Sequence, residues 1–362
     1  MQRVIIGLGL ALVALLAYVA SNLIPASGAF TTLTNRLVDD CTALKVFPGT
    51  EDVTIDPDTN LAFVSADDRR ATMAGDPVPG GIYVFDVDKP DSVRKVSPDD
   101  FGDFHPHGIS LWRAPDGEKR LFVVNHRAGG VQAVEIFDVG ENGALTHLVS
   151  VTFPLLKSPN DLLAVGSRQF YVTNDHMFTS GVMAAIENWL ALPLSNVVYF
   201  DGSQARVAAK GLAFANGINA SADGAKVYVS EFLRRRVVIF DRNATTGDLK
   251  RAGVVPTPMG PDNIEVADDG ALWVAGHPKV FDFLKHAKDP KVIAPSEVVH
   301  INPSTKDTSV VFIDTTGKLN ASSVGAVSGK TLIVGAVFDD HVMVCPMVET
   351  ILRGAGGGET AN

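Results

Sequence analysis

Six short segments of this chain open with polar residues and run straight into an apolar strand. They are Glu51-Asp52-Val53, His107-Gly108-Ile109, Asn160-Asp161-Leu162, Asn216-Gly217-Ile218, Asp262-Asn263-Ile264 and Ser322-Ser323-Val324. Glu51, Asp52, Asp161 and Asp262 are acids, and Asn160, Asn216 and Asn263 are amides. If the fold gathers them at one point, the carboxylates repel unless a cation neutralises them. Mixed carboxylate and amide oxygens suit a hard cation, and Ca²⁺ takes six to eight such donors. Zinc would call for more His or Cys. Asn and Asp at strand starts also cap turns, so the case for metal rests on their repetition. Neighbours along a strand point to opposite sides. That splits the donors into Glu51, Asn160, Asn216, Asp262 and Asn263 for one ion, and Asp52 and Asp161 with a backbone carbonyl for a second.

Histidine is the other reactive ingredient. His107 opens the second segment, and His126 closes the strand Leu121–Asn125 beside it, so the two rings can meet. An imidazole next to a cation site can take a proton from water while the ion polarises a carbonyl. His105 is expected to face away from that pair. His176, in Thr173-Asn174-Asp175-His176, is a second candidate relay. No Gly-x-Ser-x-Gly elbow and no phosphate-binding loop competes.

These residues need elements that bring them together. Measured from Glu51, His107, Asn160, Asn216, Asn263 and Ser322, the intervals are 56, 53, 56, 47 and 59. Each interval holds about four short β-rich runs separated by turn residues. Such a period describes an all-β, six-bladed β-propeller, whose innermost strands line a central tunnel. The last unit supplies only three strands, over 323–327, 331–337 and 341–345, and the run 43–47 is expected to supply the fourth. Cys41 and Cys345, the only two cysteines, would then flank the seam. They either pair across it or remain as two free buried thiols. One stretch, 181–192, breaks the β pattern and reads as an inserted helix with Met183, Ile186, Trp189 and Leu190 on an apolar side. It is either a lid or membrane-surface contact, or a helix packed on the rim.

Composition narrows the function classes. The net charge is −10, with no basic stripe, so nucleic acid is not an expected partner. Residues 4–24 are free of charge and long enough to span a bilayer. Residues 1–29 therefore read as a membrane anchor or a signal segment, placing the rest outside the cytoplasm. Residues 30–40 read as a linker, 41–348 as the catalytic propeller and 349–362 as a disordered tail.

The chain resembles the serum paraoxonase/arylesterase family. The resemblance is carried by Pro106-His107-Gly-Ile-Ser110, Val123-Val-Asn-His126, Asn160-Asp161-Leu, Thr173-Asn-Asp-His176, Phe214-Ala-Asn-Gly-Ile-Asn219, Asp262-Asn263-Ile and Gly276-His277-Pro278. It implies a calcium-dependent hydrolase of lactones and aryl esters, with phosphotriester hydrolysis as a side activity. Glu51, Asn160, Asn216, Asp262 and Asn263 would hold a catalytic calcium. Asp52, Asp161 and the Ile109 carbonyl would hold a structural one. His107 and His126 would form the water-activating dyad, and Phe214, His176 and His277 would line the pocket. The resemblance further implies contact with a membrane or lipid surface. Segment 67–80 departs from the family pattern. Two other readings remain: a gluconolactonase or strictosidine-synthase-like propeller enzyme with one ion, and a membrane-tethered binding propeller without activity.

Overall fold

The computed structural model describes residues 2–347; the tail expected at 349–362 lies outside the described residues. Six four-stranded antiparallel sheets surround an axis. Their innermost strands are Thr50–Asp56, Pro106–Arg113, Pro159–Ala164, Ala215–Ala220, Gly260–Val266 and Ser322–Ser328, and each lies beside the next around the ring. Every polar pair singled out from the sequence sits near the start of one of them. The all-β propeller expected from the 47-to-59-residue period is the observed fold.

The seam closes as the count of strands required. Thr42–Lys45 pairs with His341–Pro346 as the outermost strand of the sixth blade. Cys41 and Cys345 are joined by a disulfide and no cysteine is free. Residues 30–40 lie along the fifth blade, where Arg36 and Ile313 exchange backbone hydrogen bonds of 3.0 Å. Alternating apolar residues of neighbouring blades interdigitate to make the core. One layer packs Phe122, Val172 and Phe170 of two blades with Phe153 and Phe200. Burying a Phe ring such as Phe122 or Phe170 contributes roughly 2–3 kcal/mol before entropy is counted.

Among the described residues, four α-helices depart from the sheets: α1 (Gln2–Ser27), α2 (Arg69–Ala74), α3 (Gly181–Trp189) and α4 (Val280–Lys288). Helix α3 is the inserted helix expected near 181–192. Of its apolar side, Val182, Met183, Ile186 and Trp189 are exposed.

Candidate active site

The first strand of each blade is irregular at the position that carries the polar pair. Register shifts fall between Thr50 and Asp52, Pro106 and Ile109, Pro159 and Leu162, Ala215 and Ile218, Pro261 and Ile264, and Ser322 and Val324. Each is a β-bulge, which leaves a residue unpaired and re-aims side chains. Six bulges at one level turn Glu51, His107, Asn160, Asn216 and Asp262 toward a cavity of about 460 Å³ at one end of the tunnel. The residues that follow face the other end: Asp161, Ile109, Ile218 and Ile264 line a separate cavity there. The split between Asn160 and Asp161 expected from strand alternation is therefore present. Glycine lets the blades approach this closely. A Cβ on Gly108 would lie 2.5 Å from the Asp161 Cα, and one on Gly217 would lie 2.6 Å from the Asn263 Cα.

The upper level is a hub of oxygens. Asn263 Nδ2 donates to Glu51 Oε1 at 3.0 Å, and Ser323 Oγ donates to the Glu51 carbonyl at 2.5 Å. Glu51 Oε2 and the Oδ1 atoms of Asn160, Asn216 and Asn263 are buried without any hydrogen-bond partner. Four unpartnered acceptors at one place are costly. They are the donor type a hard cation binds, and they coincide with four of the five residues expected to hold one. The fifth, Asp262, receives His277 Nε2 at 3.0 Å. Among the described residues, no three His, Cys, Asp or Glu side chains form a metal-holding group. The fit thus rests on amide oxygens.

The lower level differs. Asp52 Oδ1 accepts from the Val53 N–H and Oδ2 from the Ile109 N–H at 2.8 Å. Asp161 repeats the pattern with Leu162 and Ile218. Both carboxylates are satisfied by backbone and staple one blade to the next. Burial, then the charge of Glu51, pushes Asp52 well above the ordinary carboxylate range. Burial, then Asp52, does the same to Asp161. A cation between them would relieve that repulsion.

His107 and His126 do meet. His107 Nδ1 lies 2.6 Å from His126 Nε2, and His126 Nδ1 lies 2.5 Å from Gln132 Oε1. Burial, then repulsion from His107, pulls His126 down to about 3, so it is neutral. A neutral His126 that donates from Nδ1 to Gln132 must accept at Nε2. His107 then carries a proton on Nδ1, and its Nε2 faces the hub, 3.4 Å from Glu51 Oε1. Burial works to raise the Glu51 carboxyl, yet His107 and Arg69 hold it down at about 2. As expected, His105 faces away, with Nδ1 on Asp67 at 2.7 Å.

The pocket walls include all three residues expected there, Phe214, His176 and His277. His176 stacks edge-on against Phe214, and His277 lies flat on Phe283 with centroids 4.0 Å apart. Both His176 ring nitrogens face oxygens, Asp175 Oδ1 at 2.8 Å and Asn188 Oδ1 at 2.9 Å. Although burial opposes it, these partners raise His176 to about 9, an imidazolium at neutral pH. Sequence reasoning missed Arg69, whose Nη2 is 3.9 Å from Glu51 Oε2, and Gln132 behind His126. It also missed α4, which walls the pocket with Val280, Phe281, Phe283 and Leu284. The apolar pairs 280–281 and 283–284 carry a helical spacing that could have revealed it.

Comparison with known proteins agrees with this geometry. A family profile described as Arylesterase matches residues 38–347. The chain is 35% identical over 315 residues to serum paraoxonase/arylesterase 1 of Homo sapiens, covering 83% of this chain and 86% of that protein. It is 35% identical over 305 residues to serum paraoxonase/arylesterase 2 of Homo sapiens, covering 80% and 84%. Among solved structures, a putative gluconolactonase superposes with a TM-score of 0.55 at 16% identity, covering 85% of this chain and 91% of that one. Regucalcin of Agrobacterium tumefaciens, described as a calcium-binding protein, does so with a TM-score of 0.50 at 13% identity, covering 87% and 94%. These structures share the fold. With the profile spanning the whole propeller, the chain belongs to the arylesterase family, that of the serum paraoxonases.

Proposed function

We propose that this protein is a calcium-dependent hydrolase of lactones and aryl esters. The observation that carries the reading is the hub: four buried, unpartnered oxygens of Glu51, Asn160, Asn216 and Asn263 beside the His107–His126 pair. Glu51, Asn160, Asn216, Asp262 and Asn263 would hold the ion at the pocket floor, and Asp52, Asp161 and the Ile109 carbonyl a second, structural one. Bound at the floor, calcium supplies a Lewis acid that polarises the ester carbonyl and offsets the developing oxyanion.

The chain's own residues do the rest. His107 Nε2 takes a proton from the attacking water. His126 and Gln132 hold the His107 ring in the tautomer that leaves Nε2 free. Glu51, 3.4 Å away, stabilises the imidazolium that forms. The proton then passes to the departing alkoxide or phenoxide, so water and ester become acid and alcohol. Phe214, His277 and the apolar walls receive the ring of the substrate and exclude water.

Helix α1 is long and apolar enough to cross a membrane over Ile5–Ser27. With the disulfide, this supports a secreted or membrane-anchored protein. The finer reading is an extracytoplasmic enzyme held to its membrane by residues 4–24.

The test is hydrolysis of phenyl acetate and a panel of γ- and δ-lactones, with and without calcium chelator, by the full chain and by His107→Gln. Turnover should vanish on chelation and fall about a hundredfold or more in the variant, the range a general base contributes. Turnover untouched by chelator would sink the calcium reading. Full activity of His107→Gln would favour the single-ion propeller chemistry that needs no dyad.

A further inference from the structure

Helix α1 is more than a tether. Its upper part is bare: Ile5, Leu8, Leu12, Val13 and Leu16 are exposed. Its last turns are docked. Tyr18 Oη donates to the Leu190 carbonyl behind α3 at 3.1 Å, Ala26 and Ser27 are buried, and Leu23 lines the pocket together with Trp189 and Phe281. The carbonyls that end any helix lack partners and carry the negative end of its dipole. Here two cations from the propeller meet the helix end and the chain that leaves it, where the Pro25 carbonyl also accepts from the Gly28 N–H at 3.2 Å. Arg235 Nη1 donates to the Pro25 carbonyl at 2.6 Å. Lys279 Nζ donates to the Gly28 carbonyl at 2.7 Å, the Ala29 carbonyl at 3.4 Å and the Thr31 carbonyl. Gly28 has φ +62°, and a Cβ there would lie 1.7 Å from the Pro278 carbonyl oxygen. The chain leaving the helix therefore sits against the loop that follows His277 with no room to slide.

We propose that the docked end of α1 is a wall of the substrate pocket, a subsite for the acyl chain of an ester or lactone, and that Arg235 and Lys279 are positioning residues that hold it. The inference rests on the esterase reading above. Leu23 lines the same cavity as Glu51, His107 and Asn160. A cavity of about 460 Å³ falls in the range that buries a drug-sized ligand, more than phenyl acetate fills. A decanoyl chain is long enough to use that extra wall. Loosening the clamp lets the last turn drift and exposes that chain to water, while the chemistry at the floor proceeds.

The experiment compares phenyl decanoate with phenyl acetate, using the full chain in one detergent at saturating calcium. In Arg235→Gln/Lys279→Gln the ratio of kcat/KM, decanoate over acetate, should fall about tenfold, what two buried methylenes are worth. The loss should lie in KM, and Leu23→Ala should lower the same ratio. Lys279→Arg, which keeps the charge, should preserve it. A ratio within twofold of wild type would overturn the inference, as would parallel losses in kcat for both esters, which would mark the clamp as structural only. A wild-type chain that hydrolyses neither ester would sink the esterase reading and this inference with it. Hydrolysis of both with an unmoved ratio sinks this inference alone.

Discussion

The calcium proposed for the hub should, when withdrawn, be visible as lost stability, independent of any substrate. Glu51 Oε2 and the Oδ1 atoms of Asn160, Asn216 and Asn263 have no hydrogen-bond partner, although Arg69 Nη2 stands 3.9 Å from Glu51 Oε2. Leaving a buried acceptor unpaired costs about 1–3 kcal/mol, so four put roughly 4–12 kcal/mol of strain into the metal-free hub. A bound ion relieves it, and the gain seen in solution is set by mass action: about 2.7 kcal/mol at a hundredfold excess over Kd and about 4.1 at a thousandfold. With roughly 300 ordered residues, the unfolding entropy is about 0.6 kcal/mol per kelvin. The melting temperature should therefore fall by about 4–7 °C when millimolar calcium is replaced by chelator. Magnesium should restore little of it, because it demands a tighter octahedral shell.

The same melts distinguish ligation from turn capping. Asn160→Ala removes one of the unpartnered oxygens. The chelated protein should then melt close to the chelated wild type, while the calcium-dependent shift shrinks by half or more. If Asn160 only capped a turn, the substitution would lower both melts equally. Coincident wild-type curves with calcium and with chelator would refute the argument from unpartnered oxygens altogether.

Two further outcomes follow from other parts of the molecule. Cys345→Ser opens a 304-residue separation, for which the chain-entropy relation gives about 5–6 kcal/mol; the variant should melt several degrees lower, and wild type denatured without reductant should show no labelled thiol. Glu297 is 1% exposed, and burial, partly offset by Arg235, raises it to about 7. The folded chain thus keeps a proton that the unfolded chain releases near pH 4.5. Stability should decline between about pH 4.5 and pH 7, by roughly 3 kcal/mol from this group, and stay level above. Calcium-saturated Glu297→Gln should lose that part of the slope, and parallel wild-type and variant profiles would rule Glu297 out as its source.

The blade count and the polar residues of the hub were legible because both live on the innermost strands. Those strands repeat, and each repeat must place a polar group at the same height, so the 47-to-59-residue interval and the Asn/Asp/Glu pairs report one geometric fact. Alternation along a strand even sorted Asn160 from Asp161. It could not reveal the bulges, because a two-against-one pairing is a relation between strands that no single strand displays. The rest of the pocket wall was illegible for a different reason. Arg69 and α2 lie in segment 67–80, and α4 follows His277. Both are excursions whose positions depend on what they pack against. Gln132 is a lone amide on a neighbouring strand, and only its contact with His126 gives it meaning. Leu23 was hidden in a segment whose composition speaks of lipid, and its place in the pocket depends on cations more than two hundred residues away.

Closure of the ring and the chemistry at its centre meet in one residue. Glu51 follows directly on the seam: Gly49 N–H donates to the Asp339 carbonyl at 2.9 Å, and Thr50 Oγ1 to the His341 carbonyl at 2.9 Å. Its own neighbours come from the end of the chain, Asn263 in the fifth blade and Ser323 in the sixth. The carboxylate closest to His107 is therefore placed by contacts of the first blade with the fifth and the sixth. An open propeller edge invites pairing with another chain. In this fold it would also let Glu51 shift relative to Asn263, and a donor set spread over several blades tolerates such a shift poorly. The disulfide locks the outer strand and the hub locks the inner one. Two fastenings on one seam, at opposite ends of the same sheet, make the register of the sixth blade a condition for the geometry of the site.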